Sequence, residues 1–301
     1  MFKSSYVSEI FLKEMWPNGL NHIPCPPEKL FIRGLDNFRK LKNEGFKFLT
    51  IVGSRKHTDY GAEVCQKLIS GLTGYKICIV SGLAYGIDAL AHRTALENDI
   101  KTLAFPGSGL NNDVLYPQGN FELAQEILES GGCLISEFEN NQSARPWMFP
   151  QRNRLMVGIC DGALIIEAGE KSGSGITANM AVEYNRNLMA VPGSIFNHNS
   201  KMTNRLIQSG AYLISDSSDI LENLGFDNLF NDKRGADGDG VRGVGLASAG
   251  VVAKNLNSME RAVLNFVQNG LTDRDQILHE MKIPISELNR IMSKLEIEGL
   301  L

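Results

Sequence analysis

The chain has 301 residues, 43% of them hydrophobic and 21% charged, which is enough apolar content for one large domain and a small one. A formal net charge of -4 argues against a uniformly basic nucleic-acid-coating protein, and no apolar run approaches the roughly 20 residues of a membrane span. Met1 to Asn21 has no signal-peptide layout, so a cytoplasmic location with no membrane association is expected.

Short apolar runs alternate with helical patterns along most of the chain. Residues 1–35 read as a short N-terminal extension. Phe48 to Val52 reads as a strand ending in Gly53-Ser54-Arg55, and Asp59 to Leu72 as a helix with Ala62, Cys65, Leu68, Ile69 and Leu72 on one stripe. Ile77 to Val80 is a strand ending in Ser81-Gly82, followed by a helix from Asp88 to Glu97. Thr102 to Phe105 is a strand ending in Pro106-Gly107-Ser108-Gly109. A helix from Phe121 to Glu129 and a strand from Cys133 to Ser136 follow. Phe149-Pro150-Gln151-Arg152-Asn153-Arg154 reads as a Pro-bounded loop before the strand Gly162 to Glu167. Ser172-Gly173-Ser174-Gly175-Ile176-Thr177 then opens a helix running from about Ile176 to Asn185. A strand Leu188 to Val191, a short helix near Asn204 to Gln208 and a strand Tyr212 to Ile214 close the pattern. Such alternation calls for a mostly parallel sheet covered on both faces, an extended Rossmann-like α/β domain over 36–230.

From 231 to 257 the periodicity collapses into Gly and Asp, which reads as a flexible linker. Residues 258–301 regain helical periodicity, with Met259, Ala262, Val263 and Phe266 on one stripe and Leu288, Ile291, Met292 and Leu295 on another. Three short helices fit a small winged-helix-like module. Its five basic and seven acidic residues make it a poor duplex binder, so protein docking is its expected role rather than sequence-specific transcription control.

Glycine- and serine-rich loops follow at least five strands at their C-terminal ends, and in an open parallel sheet those ends share the edge where ligands bind. A loop of small polar residues at a helix N-terminus offers free N–H groups to an anion, and nearby arginine forks make phosphate the expected anion. From Arg145 to Arg205 seven basic residues outnumber four acidic ones, so a basic site sits on an acidic body. Arg55, Arg152, Arg154, Lys171 and Lys201 are the candidate phosphate cations, and Phe149 and Trp147 are candidate stacking rings. Core packing is the commoner fate of such aromatics.

Catalytic readings have less support. The chain has no G-x-x-x-x-G-K-[ST], no H-E-x-x-H and no clustered His/Cys set, so no cofactor and no metal are expected. The five cysteines are scattered and odd in number, which favours buried thiols over disulfides. Ser81, Asp88 and His92 allow a triad to be drawn, but no nucleophile elbow accompanies Ser81. A capping aspartate and a satisfied core histidine are the simpler reading.

Taken jointly, these motifs resemble the DNA-processing protein A family (DprA, also called Smf). The matching stretches are Gly53-Ser54-Arg55, Ser81 to Asp88 with Ala91-His92, Tyr116-Pro117 with Asn120, and Ser136-Glu137. They continue with Phe149 to Arg154, Glu167-Ala168, Lys171 to Ser174, Val191 to Ser194, and Asn204 to Ile207 with Gly210-Ala211. The resemblance implies a non-enzymatic protein that binds single-stranded DNA without sequence preference. It also implies a homodimer that hands the strand to the RecA recombinase during natural transformation. By this match the DNA-binding residues are Gly53, Ser54, Arg55, Ser81, Gly82, Phe149, Arg152, Asn153, Arg154, Lys171, Ser172, Gly173, Ser174, Thr177 and Lys201. The departures are a longer loop from Gly107 to Tyr116 with Asn111 where Asp is usual, Lys201-Met202 for Arg-Gly, and Gly175 for an apolar residue. The alternative is a nucleotide-binding phosphoribohydrolase of the lysine-decarboxylase-like superfamily. Its loop ends in a glutamate, whereas here Asn179 or Met180 takes that place and neither can act as a carboxylate does.

Overall fold

The computed structural model describes residues 7–169, 172–226, 263, 288 and 290–292. The chain divides into two compact units, Met1–Asp232 and Lys233–Leu301. The expected linker and nearly all of the expected C-terminal module lie outside the described residues.

The first unit opens with β1 (Glu9–Ile10), the single turn α1 (Asn18–Asn21), β2 (Phe31–Arg33) and α2 (Leu35–Asn43). The alternation then runs β3 (Lys47–Val52), α3 (Asp59–Ser70), β4 (Ile77–Ser81), α4 (Ile87–Glu97), β5 (Lys101–Ala104), α5 (Phe121–Glu129) and β6 (Cys133–Ser136). It continues with α6 (Met148–Ile159), β7 (Gly162–Ile165), α7 (Gly173–Glu183), β8 (Asn187–Ala190), α8 (Lys201–Gln208), β9 (Tyr212–Leu213) and α9 (Ser217–Asn223).

These strands form one nine-stranded sheet in the order β1-β2-β6-β5-β4-β3-β7-β8-β9. From β6 to β9 every pairing is parallel, and β1 and β2 add to the β6 edge in antiparallel fashion. The strands β5-β4-β3-β7-β8-β9 follow the doubly wound order, which reverses direction between β3 and β7. Ligand crevices form at such a reversal, outside the carboxyl ends of the strands.

The side-chain period of two explains the two-sided burial. In β3, Phe48 and Val52 face one core with Val80, Ile135 and Ile165, under Phe38 of α2, Leu155 of α6 and Ala178 of α7. Leu49 and Ile51 face the opposite core with Ile77 and Ile79, covered by Leu68 of α3, Ala91 of α4 and Ile220 of α9. Residues 9–35 join this body: Phe11, Trp16, Leu20 and Leu30 are buried in the first core, and the Trp16 indole donates to the Phe11 carbonyl at 2.8 Å.

Three local readings differ from the structure, the first being α8, which begins at Lys201 and not near Asn204. Phe149 to Arg154 lies inside α6 and is not a loop. Pro150 sits in the first turn of that helix, where a missing N–H costs nothing, so proline does not end it. Helix α7 begins at Gly173, three residues before the expected start, because its Gly-Ser-Gly opening has weak helix propensity but buries Ser174 and Gly175.

Candidate functional site

A cavity of about 710 Å³ opens at the β3/β7 switch point. The β3 end supplies Gly53, Ser54, Arg55 and Lys56, α6 supplies Phe149, Arg152 and Asn153, and α7 supplies Ser172, Gly173, Ser174 and Thr177.

The Arg55 loop is pinned along its length. The Ser54 carbonyl accepts the Ile87 N–H at 3.2 Å and its hydroxyl accepts the Lys56 N–H at 3.1 Å. Gly86, with φ of 82°, lets that backbone approach closely, since a Cβ there would strike Ser54 and Arg55. Further on, the buried Glu167 carboxylate accepts the Thr58 N–H at 2.9 Å and the Thr58 hydroxyl at 2.6 Å. Arg55 itself is exposed, and its guanidinium lies 5.1 Å from the centroid of the Phe149 ring. Phe149 is half-buried and also meets Tyr116, with ring centroids 5.7 Å apart. A cation thus stacks on an aromatic ring at the cavity wall.

Across from it is the N-terminus of α7. Ser172 occupies the cap position but makes no side-chain cap bond, and its hydroxyl and that of the buried Thr177 have no hydrogen-bond partner. The free N–H groups of this first turn carry the positive end of the helix dipole. Basic, hydroxyl and amide donors face one space, which suits a phosphate.

Arg152 has a different role from Arg55. It is buried, donates to the Phe105 carbonyl, and donates Nε to Asn153 at 3.2 Å. Burial lowers its pKa to about 10, against the opposing pull of the Asp88 carboxylate, so it remains a cation at neutral pH. Asp88 accepts the Gly82 N–H at 3.1 Å, and burial raises its pKa despite Arg152. Gly82 is required here because a Cβ would run into the Arg152 guanidinium. Arg152 therefore ties α6 to the ends of β4 and β5 at the cavity floor.

Several expected contacts lie elsewhere. Ser81 is fully buried and donates its hydroxyl to the Ile51 carbonyl at 2.6 Å, so it does not line the cavity. Gly82 is likewise absent from the lining. Arg154 points to the opposite side of α6 from Arg152, as two residues of helix demand, and pairs with Glu137. Lys201 is exposed at the start of α8 and outside the cavity lining, and Lys171 lies outside the described residues. The lining residues Lys56, Pro146 and Met156 carried no motif signal and are brought in by the fold alone.

The triad is not assembled. His92 Nδ1 lies 2.6 Å from Thr102 Oγ1, and that hydroxyl donates to the Ile79 carbonyl at 3.0 Å, so the imidazole N–H donates to Thr102. Burial, reinforced by Arg152, lowers the His92 pKa to about 3. Folding needs the neutral ring, so this contribution is intact above pH 6.5 and is lost as pH falls from there toward 3. Between pH 7.5 and 5 the loss should be about 2 kcal/mol. Chemical melts at both pH values should show it in the parent and not in His92→Gln. Comparing the two proteins at matched pH cancels Asp88 and Glu137, whose raised carboxyl pKa values act in the opposite sense. Equal pH dependence in both would refute the buried-neutral assignment.

Among the described residues no cluster of His, Cys, Asp and Glu could hold a metal, and no helix is long and apolar enough to cross a membrane. Cys65, Cys78, Cys133 and Cys160 are buried free thiols and Cys25 is exposed. Of the two positions weighed for a catalytic carboxylate, Asn179 is exposed, Met180 packs against the core, and neither lines the cavity.

The chain is 39% identical over 215 residues to the DNA processing protein DprA of Streptococcus pneumoniae, covering 71% of this chain and 73% of that protein. It is 40% identical over 217 residues to Protein Smf of Escherichia coli, of which it spans 55%. The X-ray structure of the pneumococcal protein superposes with a TM-score of 0.65 at 38% identity, covering 73% of this chain and 74% of that one. A structure of DNA processing protein A from Helicobacter pylori, described for its single-stranded DNA binding mode, gives 0.64 at 29% identity, covering 74% of this chain and 97% of that one. Residues 9–225, the whole sheet with its helices, match the DNA recombination-mediator protein A family, and the chain belongs to that family.

Proposed function

We propose that this chain binds single-stranded DNA at the β3/β7 cavity and hands it to the RecA recombinase during natural transformation, acting as a homodimer and without catalysis. The observation that carries the reading is the Arg55–Phe149 stack facing the uncapped N-terminus of α7. An unpaired base can lie on an aromatic ring while the strand's phosphates meet cations and amides. Gly53, Ser54, Asn153, Gly173 and Ser174 bring small or polar groups to the same space. Lys171 and Lys201 are assigned to the strand's path by their match to the family motifs. The named binding mode of the Helicobacter relative supports the ligand. The recombinase hand-off and its role in transformation rest on family membership. For self-association, β9, the edge strand among the described residues, exposes Tyr212 and Leu213, an apolar edge of the kind a second copy can cover.

A binding role fits the cavity better than glycosidic cleavage. Asp88 is the one carboxylate among the described lining residues, and it is buried and bonded to Gly82. Titration of fluorescent oligo-dT against salt tests the proposal. Affinity should fall with a log–log slope of about -0.7 per phosphate contacted. Blunt duplex should bind far more weakly, and equal affinity for the two would overturn the reading.

A further inference from the structure

The loop between β8 and α8 exposes two apolar side chains: Ile195 is 77% exposed and Phe196 92%, the latter more than any other large apolar side chain among the described residues. A phenyl ring in water forgoes the burial that normally draws it inside.

This loop is held rigidly. Asn204 clamps Gly193, donating to its carbonyl at 2.9 Å and accepting its N–H at 3.1 Å. The turn closes from the Asn197 N–H to the Ser194 carbonyl at 3.0 Å. Asn199 then donates to the Lys56 carbonyl at 3.1 Å and accepts the Ala168 N–H at 2.8 Å. The Tyr60 hydroxyl donates to the Pro192 carbonyl at 2.6 Å. The feet of the turn are therefore tied to the Arg55-bearing loop and to the segment leading into α7, both of which wall the cavity. Lys56, itself a lining residue, and Lys201, which opens α8, are exposed on the same rim.

An aromatic tip held in place, among cations, beside a phosphate-suited cavity matches one occupant: the unpaired base of a strand whose backbone runs along that rim. We infer that Phe196, with Ile195 beside it, is a second base-stacking platform. It receives a nucleobase where the single strand leaves the Arg55–Phe149 site. The inference rests on the single-strand reading above.

The test uses the full chain and its Phe196→Ala and Phe196→Trp variants, whose exposed position leaves the fold intact. Each is titrated with a short oligo-dT that fills only the cavity, a long oligo-dT, and a long abasic strand. Phe196→Ala should bind the short oligomer and the abasic strand as the parent does. It should bind the long oligo-dT roughly 5- to 150-fold more weakly, with an unchanged salt slope. Phe196→Trp should keep or tighten the long-strand affinity. Unchanged long-strand affinity in Phe196→Ala, beside normal binding by the parent, would overturn the platform and leave the cavity reading standing. Failure of the parent to bind any oligomer would remove both. Loss of recombinase loading or of self-association with DNA affinity intact would assign the tip to a protein partner and overturn the inference.

Discussion

Arg154→Ala should lower the stability of the fold by about 3–5 kcal/mol, while leaving single-strand affinity nearly unchanged wherever the protein is folded. The Arg154 and Glu137 side chains are only 11% and 9% exposed, and they pair directly. Burial raises the Glu137 carboxyl pKa even with Arg154 and Gln151 beside it, so removing the guanidinium leaves an anion with too little compensation. The double change Arg154→Met with Glu137→Leu should restore most of the loss, because it removes both charges and keeps the volume. Because protonation relieves a buried carboxylate, the Arg154→Ala deficit should shrink as pH falls through the raised Glu137 pKa. Denaturant melts and oligo-dT titrations on the same samples give the result. An undiminished melt with weakened binding would return Arg154 to the role of a phosphate contact.

Arg55→Ala should do the reverse. Arg55 is exposed and stands at the cavity wall, so its loss should spare the melt, weaken binding of all sequences by about 1.5–3 kcal/mol, and flatten the salt slope by about 0.7. Phe149→Ala should weaken binding by about 1–3 kcal/mol with little change in slope, because stacking releases few ions. It should also cost some stability, since the ring packs on Tyr116 and over Gly107. Because Arg55 lies on that ring, the double variant should lose less than the two singles added together. Full additivity would mean that the stacked geometry does not persist in the complex.

The two arginines of α6 show where sequence reading reaches its limit. Arg152 and Arg154 flank Asn153 in one short motif, and local reading puts both on a loop beside phosphate. Helical geometry turns them to opposite sides, one into the cavity floor and one onto Glu137. Ser81 shows the same limit: its place at a strand end on the rim is legible, but whether its hydroxyl faces outward is decided by the neighbouring strand's Ile51 carbonyl. Phe196 carried no signal at all, since exposure depends on what packs around a residue.

The sequence by itself determined the alternating strands and helices from β3 to β9 with the exception of α6, because period-two and helical stripes are local patterns that survive any packing. It also placed the glycine- and serine-rich loops on one rim, since parallel strands must present their carboxyl ends together. Tertiary structure alone decided that residues 9–35 complete the sheet edge and core, through β2 pairing with β6 about a hundred residues away along the chain. It alone left Arg55 exposed at the cavity and held Arg152 and Arg154 in contacts within the fold, because burial and pairing are properties of distant neighbours and no local pattern encodes them.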